Sequence, residues 1–114
     1  MDLNTREKSD FKIVDISGKI NRLKDSIVLK SFVNGLIEKN HLHIALDLEN
    51  VTYLDSGALN VLIYCHNMLS QKHGQLVLIA PNEYVQDVLE VVGLDKLVKI
   101  YFSKENFDND QAGT

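Results

Sequence analysis

Short apolar segments that alternate with segments of helical spacing are the feature that most constrains how this chain folds. Residues 43–48 and 75–80 are apolar on both faces, which is typical of strands inside a parallel sheet. Each is followed by a segment whose apolar residues repeat every three or four positions, which indicates an amphipathic helix. Strands separated by helices cannot pair as hairpins, so the pattern predicts parallel strands joined by helical crossovers.

The whole pattern predicts four strands and three helices in strict alternation. Strands are expected at residues 11–16, 43–48, 75–80 and 98–102, with helices at 25–40, 58–73 and 82–93. The chain has 114 residues, a length that suits one domain with a single core. The predicted fold class is therefore α/β, a single domain with a mostly parallel central sheet of about four to five strands and about three to four helices.

The ends of the chain lack this pattern. Residues 1–10 have no periodicity, and residues 106–114 are rich in Asp, Asn and Gly. Both ends are expected to be flexible, and the folded domain is predicted to span residues 11–105.

Charge and composition exclude several classes of function. A net charge of -4 argues against nucleic-acid binding, which needs a surplus of Lys and Arg on one face. No apolar run approaches the roughly 20 residues of a membrane span, and the polar N-terminus is not a signal peptide, so a cytoplasmic protein is expected. The single cysteine, Cys65, permits no internal disulfide and is expected to be a small buried apolar residue.

The polar groups best placed for a function follow the strand at residues 43–48. Asp55, Ser56 and Gly57 precede an amphipathic helix, where free backbone N–H groups and the helix dipole favour an acceptor or a negative charge. Spacing alone is also explained if Asp55 or Ser56 only caps the helix, a role worth about 1 kcal/mol.

Several motifs resemble those of STAS domains, a family named for sulfate transporters and anti-sigma factor antagonists. The core of the resemblance is DSGALNVL at residues 55–62, after an apolar strand and a turn. Residues 88–97, VLEVVGLDKL, are similar to the family's VLELTGLDKLF segment, and Pro81 and Asn82 open the third helix as in the family. The Gly18-Lys19-Ile20 segment resembles a turn after the leading strand, with Asn21 in place of the usual Asp.

The resemblance implies a STAS-like fold and a protein-interaction switch without catalysis or cofactor. The implied partner is an anti-sigma factor that is also a serine kinase of the histidine-kinase-like ATPase type. The kinase phosphorylates a Ser or Thr at the start of the second helix, and a PP2C-type phosphatase reverses the modification. The implied partner-binding residues lie in two turns that converge at one end of the sheet: Gly18, Asn21, Asp55, Ser56, Gly57, Ala58 and Leu59.

The chain departs from the family pattern at the phosphoacceptor. The usual acceptor position falls on Gly57, which has no hydroxyl, and Ser56 is the only hydroxyl at the helix start. Ser56 is therefore the candidate phosphorylation site. Gly57 favours the alternatives, a STAS subunit of an ABC-type lipid transport assembly or a degenerate non-phosphorylated STAS scaffold. The polar N-terminal extension and the GLDK segment favour the regulator, expected as a monomer or weak homodimer.

Metal binding and catalysis are not predicted. No carboxylate is placed to orient the four histidines, which are His41, His43, His66 and His73. A Ser-His-Asp triad on Ser56 would need glycines on both sides of the serine, and only the following one is present.

Overall fold

Within the part of the chain that the structure describes, five strands form one sheet in sequence order, and helices cover both of its faces. The computed structural model describes residues 1–112. Its elements are β1 (Asp2–Lys8), β2 (Phe11–Ile20), α1 (Leu23–Glu38), β3 (His43–Leu54), α2 (Ser56–Gln71), β4 (Gln75–Ile79), α3 (Glu83–Val91), a 3-10 turn (Leu94–Lys96), β5 (Lys99–Tyr101) and α4 (Lys104–Ala112).

The predicted α/β fold and mostly parallel sheet are confirmed. Strands β2, β3, β4 and β5 pair in parallel in that order, joined by crossovers that contain α1, α2 and α3. The sheet is mixed because β1 pairs antiparallel with β2 at one edge.

Two core layers explain why the central strands are apolar on both faces. One side of β3, carrying Ile44, Leu46 and Leu48, packs into the larger core under α1, α2 and α3. On the other side, Ala45 joins a smaller apolar cluster that includes Phe107 of α4. A strand covered on both faces shows little polar alternation, which is the pattern seen in the sequence.

Both ends carry regular structure that the sequence analysis did not expect. Residues 1–10 contain β1, an exposed and highly charged edge strand whose side chains give no apolar periodicity. The predicted domain end at residue 105 and the predicted start of the flexible tail at residue 106 both fall inside α4. The last two residues of that tail, 113–114, lie outside the described residues. Phe107 anchors α4 through edge-on contacts with Phe11 and Tyr101, at ring-centroid distances of 5.4 and 5.3 Å.

A buried aspartate on β3 joins these two ends to the sheet. The Asp47 carboxylate is almost fully buried and accepts hydrogen bonds from Arg6 of β1 at 3.0 Å and from the backbone N–H of Glu49 at 3.0 Å. Lys104 of α4 lies 3.4 Å from the same carboxylate and also pairs with Glu49. The pKa of Lys104 is raised, mainly because its ammonium group donates to Glu49. One buried charge thus receives a cation from each end of the chain.

Gly35 lies in the middle of α1, and within residues 1–112 no atom other than the adjacent residues and helix backbone lies within 4 Å of the place where its Cβ would be. The close packing contact that a glycine at this position suggests is therefore absent. We expect Gly35→Ala to raise the free energy of unfolding by about 1 kcal/mol, because alanine loses less backbone entropy in a helix. Urea unfolding followed by circular dichroism measures this change, and a destabilised variant would contradict the open space seen around Gly35.

Candidate partner-docking site

The ends of β2 and β3 bring the two predicted segments together. In the parallel register, Ile20 pairs with Leu54. The next backbone N–H, that of Asp55, donates to the carbonyl oxygen of Ile20 at 3.1 Å. Asn21 therefore leaves the sheet beside the start of α2. We call the surface formed by residues 20–27 and 53–59 the α2-start surface.

Asp55, rather than Ser56, caps α2. Its carboxylate accepts from the backbone N–H of Ala58 at 2.8 Å, and its carbonyl accepts from Leu59 at 3.2 Å. Ser56 is the first helical residue and is exposed, while Ala58 is buried in the core. Within residues 1–112, nothing forms a hydrogen bond with the Ser56 hydroxyl. This hydroxyl is accessible to a modifying enzyme.

Gly57 lies against α1, and the contact limits which side chain fits there. A Cβ at this position would lie 3.1 Å from the hydroxyl oxygen of Ser26 and 3.3 Å from a carboxylate oxygen of Asp55. These separations are tighter than ordinary contacts, so Ser26 would have to shift to admit a side chain at position 57. The Ser26 hydroxyl therefore occupies space that a side chain at the usual acceptor position would use.

Asp25 and Ser26 lie in the first turn of α1 and do not cap it, contrary to the sequence-based expectation of a helix starting at residue 25. The N-cap is Arg22, without a side-chain cap. The Asp25 carboxylate accepts from the Arg22 guanidinium at 3.3 Å and from the backbone N–H of Asn21 at 3.4 Å. The pKa of Asp25 is lowered, mainly by the Arg22 hydrogen bond, so the carboxylate is charged at neutral pH.

Two exposed apolar side chains accompany this surface, and the sequence analysis missed both. Leu23 and Ile27 are 78% and 54% exposed and lie on the turns of α1 around Ser26. Tyr53, at the end of β3, is also exposed. Leu23 and Ile27 are neighbours on the helix surface, and adjacent exposed apolar side chains favour an interaction surface. In the sequence, these exposed side chains could have been detected as a pair of aliphatic residues four positions apart that lies outside the stripe of buried residues of α1.

Gly18 lies apart from the other predicted docking residues. The sequence predicted a turn at Gly18 after the leading strand. Strand β2 instead continues to Ile20, with a break in register after Gly18. The φ angle of Gly18 is +91°, which favours glycine, and the residue faces the backbone of Met1. Partner binding through Gly18 remains a prediction, whereas residues 21 and 55–59 are brought together.

Other reactive groups are placed unfavourably for chemistry. Cys65 is buried as predicted, and desolvation raises its pKa to about 12, so the thiol stays protonated at neutral pH. Within residues 1–112, no three His, Cys, Asp or Glu side chains are grouped as metal ligands. Over the same residues, no helix is both long and apolar enough to cross a membrane.

The fold and this site define a small mixed α/β domain that presents a helix start beside two strand ends. The chain belongs to the STAS domain family, whose model matches residues 2–106. It is 28% identical over 94 residues to an anti-sigma F factor antagonist of Paenibacillus polymyxa, an alignment that covers 82% of this chain and 80% of the relative.

Solved structures show the same fold. An anti-sigma factor antagonist from Mycobacterium paratuberculosis superposes with a TM-score of 0.81 at 19% identity, covering 92% of this chain and 88% of the other. The Bacillus cell fate determinant SpoIIAA in the phosphorylated form gives a TM-score of 0.71 at 14% identity, covering 95% and 98% of the two chains. The predicted STAS-like fold is thus confirmed.

Proposed function

We propose that this protein is a non-catalytic signalling module, an anti-sigma factor antagonist that binds its anti-sigma factor through the α2-start surface. Family membership and the Paenibacillus relative support this role. The observation that carries the proposal is the exposed, unpartnered Ser56 hydroxyl at the first position of α2. The protein acts in the cytoplasm as a monomer or weak homodimer, without nucleic acid or membrane insertion.

The partner is a serine kinase of the histidine-kinase-like ATPase type, and Ser56 is its substrate. The kinase transfers the terminal phosphoryl group of ATP to the Ser56 hydroxyl oxygen: the new O–P bond forms as the bond to the bridging oxygen of ATP breaks, ADP leaves, and a base of the kinase takes the hydroxyl proton. A PP2C-type phosphatase hydrolyses the ester with water and releases inorganic phosphate. The phosphorylated form of SpoIIAA has the same fold, which supports a modification of this kind here.

Phosphorylation weakens docking for electrostatic reasons. It adds about 1.5 to 2 negative charges at the start of α2. The helix N-terminus tolerates this charge, but the Asp55 carboxylate already occupies the same helix start. A partner seated on Leu23 and Ile27 would have to bury part of the phosphate, which costs free energy.

Gly57 favours a second candidate function. This chain has a glycine at the usual acceptor position, and the Ser26 hydroxyl limits the space for a side chain there. A STAS subunit of an ABC-type lipid transport assembly, or a non-phosphorylated STAS scaffold, needs no acceptor. In either case the α2-start surface binds constitutively.

Native purification separates the two candidates. The protein is isolated from its own cells with bound proteins retained, and both the complex and the free chain are analysed by intact-mass and phosphopeptide mass spectrometry. An unmodified chain bound to an ATPase of the kinase type, together with free chain that carries phosphate on Ser56, supports the proposed switch. An unmodified chain bound to an ABC ATPase would replace it with the transport role.

We expect Ser56→Asp to weaken binding to the anti-sigma factor at least tenfold, because it places a carboxylate at the centre of the α2-start surface. Isothermal titration calorimetry with the purified partner measures the affinity. Ser70→Asp is the matched control, since Ser70 is an exposed serine at the other end of the same helix. If both variants bind as the unmodified protein does, the assignment of the docking surface is wrong.

A further inference from the structure

Helix α3 exposes an apolar ridge, formed by Tyr84, Val88, Val91 and Val92, that is not part of the buried core. The sequence pattern places Val85, Val88, Leu89 and Val92 on one helical face, but only Val85 and Leu89 are buried. Val88 is half-buried, and Val91 and Val92 are 86% and 51% exposed. With Tyr84 and Asp87, these three valines line a shallow cavity of about 350 Å³. Contiguous exposed apolar surface of this kind marks a binding site.

A row of carboxylates runs along this apolar ridge. Glu83, Asp87 and Glu90 are exposed and follow the spacing i, i+4 and i+7 on α3. Asp87 lies three positions after Tyr84 and four before Val91, so the carboxylate row adjoins the apolar residues Tyr84, Val88 and Val91 on the helix surface. Helix α3 contains no Lys or Arg, and none of the three carboxylates forms an ion pair within residues 1–112.

The ridge belongs to a firmly held helix. The Tyr84 hydroxyl accepts from the backbone N–H of Leu54 at 3.2 Å, and the ring of Tyr84 stacks on Tyr53. Asn82 caps α3 and also donates to the carbonyl of Val51 at 2.9 Å. Gln86 donates to the carbonyl of Ala80 at 2.8 Å. The apolar surface is therefore presented in a fixed orientation, which lowers the entropic cost of binding.

We propose that this ridge binds an amphipathic helix of a partner protein whose apolar face is flanked by Lys and Arg. The ridge adjoins the α2-start surface through the stacked rings of Tyr53 and Tyr84, but its valines belong to α3 and Ser56 is not part of it. Apolar side chains of such a helix fill the cavity between Tyr84 and Val91, and its cations face the carboxylate row. Charge complementarity identifies the occupant, since the three acids form no ion pair within the described residues and remain available to the partner's cations.

The same charges disfavour two other occupants. In a twofold pairing of two copies through this ridge, each carboxylate row would approach the other, and like charges in an interface are unfavourable. Bacterial and other cytoplasmic membrane surfaces are anionic and attract basic segments, whereas this ridge is acidic.

A designed peptide tests the proposal. The probe is a labelled helix of about 18 residues with Leu at i, i+3, i+4 and i+7 and Lys at the flanking positions. A second peptide carries Glu in place of each Lys. Fluorescence anisotropy measures affinity, and nitrogen-15 NMR spectra of the full-length protein locate the bound peptide. We expect the Lys peptide to bind at least tenfold more tightly than the Glu peptide, with shifts centred on α3.

Four variants make the test specific. Asp87→Lys should weaken binding of the Lys peptide at least tenfold, while Glu105→Lys, the same charge change at an exposed residue of α4, should not. Val91→Ser should also weaken binding, and its side chain is too exposed for the change to unfold α3. Ser56→Asp should leave peptide affinity unchanged, which keeps this result distinct from that of the proposed switch.

Four outcomes would overturn the proposal. They are equal binding of the two peptides, NMR shifts centred away from α3, dimerisation that Val91→Ser abolishes in analytical ultracentrifugation, and binding to phosphatidylglycerol vesicles that Val91→Ser abolishes. The third would assign the ridge to a second copy and the fourth to a membrane.

Discussion

Replacement of Leu46 by alanine is expected to lower the free energy of unfolding by about 3 to 5 kcal/mol. Leu46 is fully buried at the centre of β3, where it pairs with Val14 of β2 and Leu78 of β4. The sheet on both sides restricts collapse around the missing side chain, so a cavity remains in the larger core. Urea unfolding followed by circular dichroism measures the loss.

A variant of the same strand controls for changes in strand propensity. Thr52 is exposed on β3, and we expect Thr52→Ala to change the free energy of unfolding by no more than about 0.5 kcal/mol. A loss below about 1 kcal/mol for Leu46→Ala would mean that the core can repack around this position, against its place between two strands.

The buried strands of the sheet could be predicted because consecutive residues of each strand are apolar. Residues 43–48 and 75–80 are covered by helices on one face and by the α4 cluster on the other, so both faces are apolar. Strand β1 was not predictable in this way, since an edge strand with an exposed outer side shows no apolar alternation. Helix α4 buries mainly Phe107, and one apolar residue gives no helical period.

At the candidate site, local groups were predictable and contacts between distant residues were not. The position of Asp55 and Ser56 at the start of α2 follows from spacing and turn chemistry. The approach of Ser26 to Gly57 depends on how α1 packs on α2, which no short motif encodes. For the same reason, periodicity placed Val92 on the same helical face as Val85 and Leu89 but could not show that this side chain is exposed.

Gly74→Ala is expected to lower the free energy of unfolding by about 3 kcal/mol, through overpacking rather than a cavity. A Cβ on Gly74 would overlap the carbonyl oxygen of Leu42 and would lie 3.0 Å from the Leu42 Cβ. This carbonyl has little freedom to move, because it accepts from the backbone N–H of Gln75 at 2.8 Å. The backbone N–H of Gly74 is itself bound to the carbonyl of Leu69 at 2.7 Å.

Gly35→Ala provides the matched comparison, because the same methyl group enters open space there. The two substitutions should change stability in opposite directions, since both reduce the entropy of the unfolded chain but only Gly74→Ala meets fixed backbone. Urea midpoints of the two variants, measured side by side, test this difference. Equal midpoints would mean that the turn before β4 yields to the added methyl group, and that the contact between Gly74 and Leu42 does not fix the start of that strand.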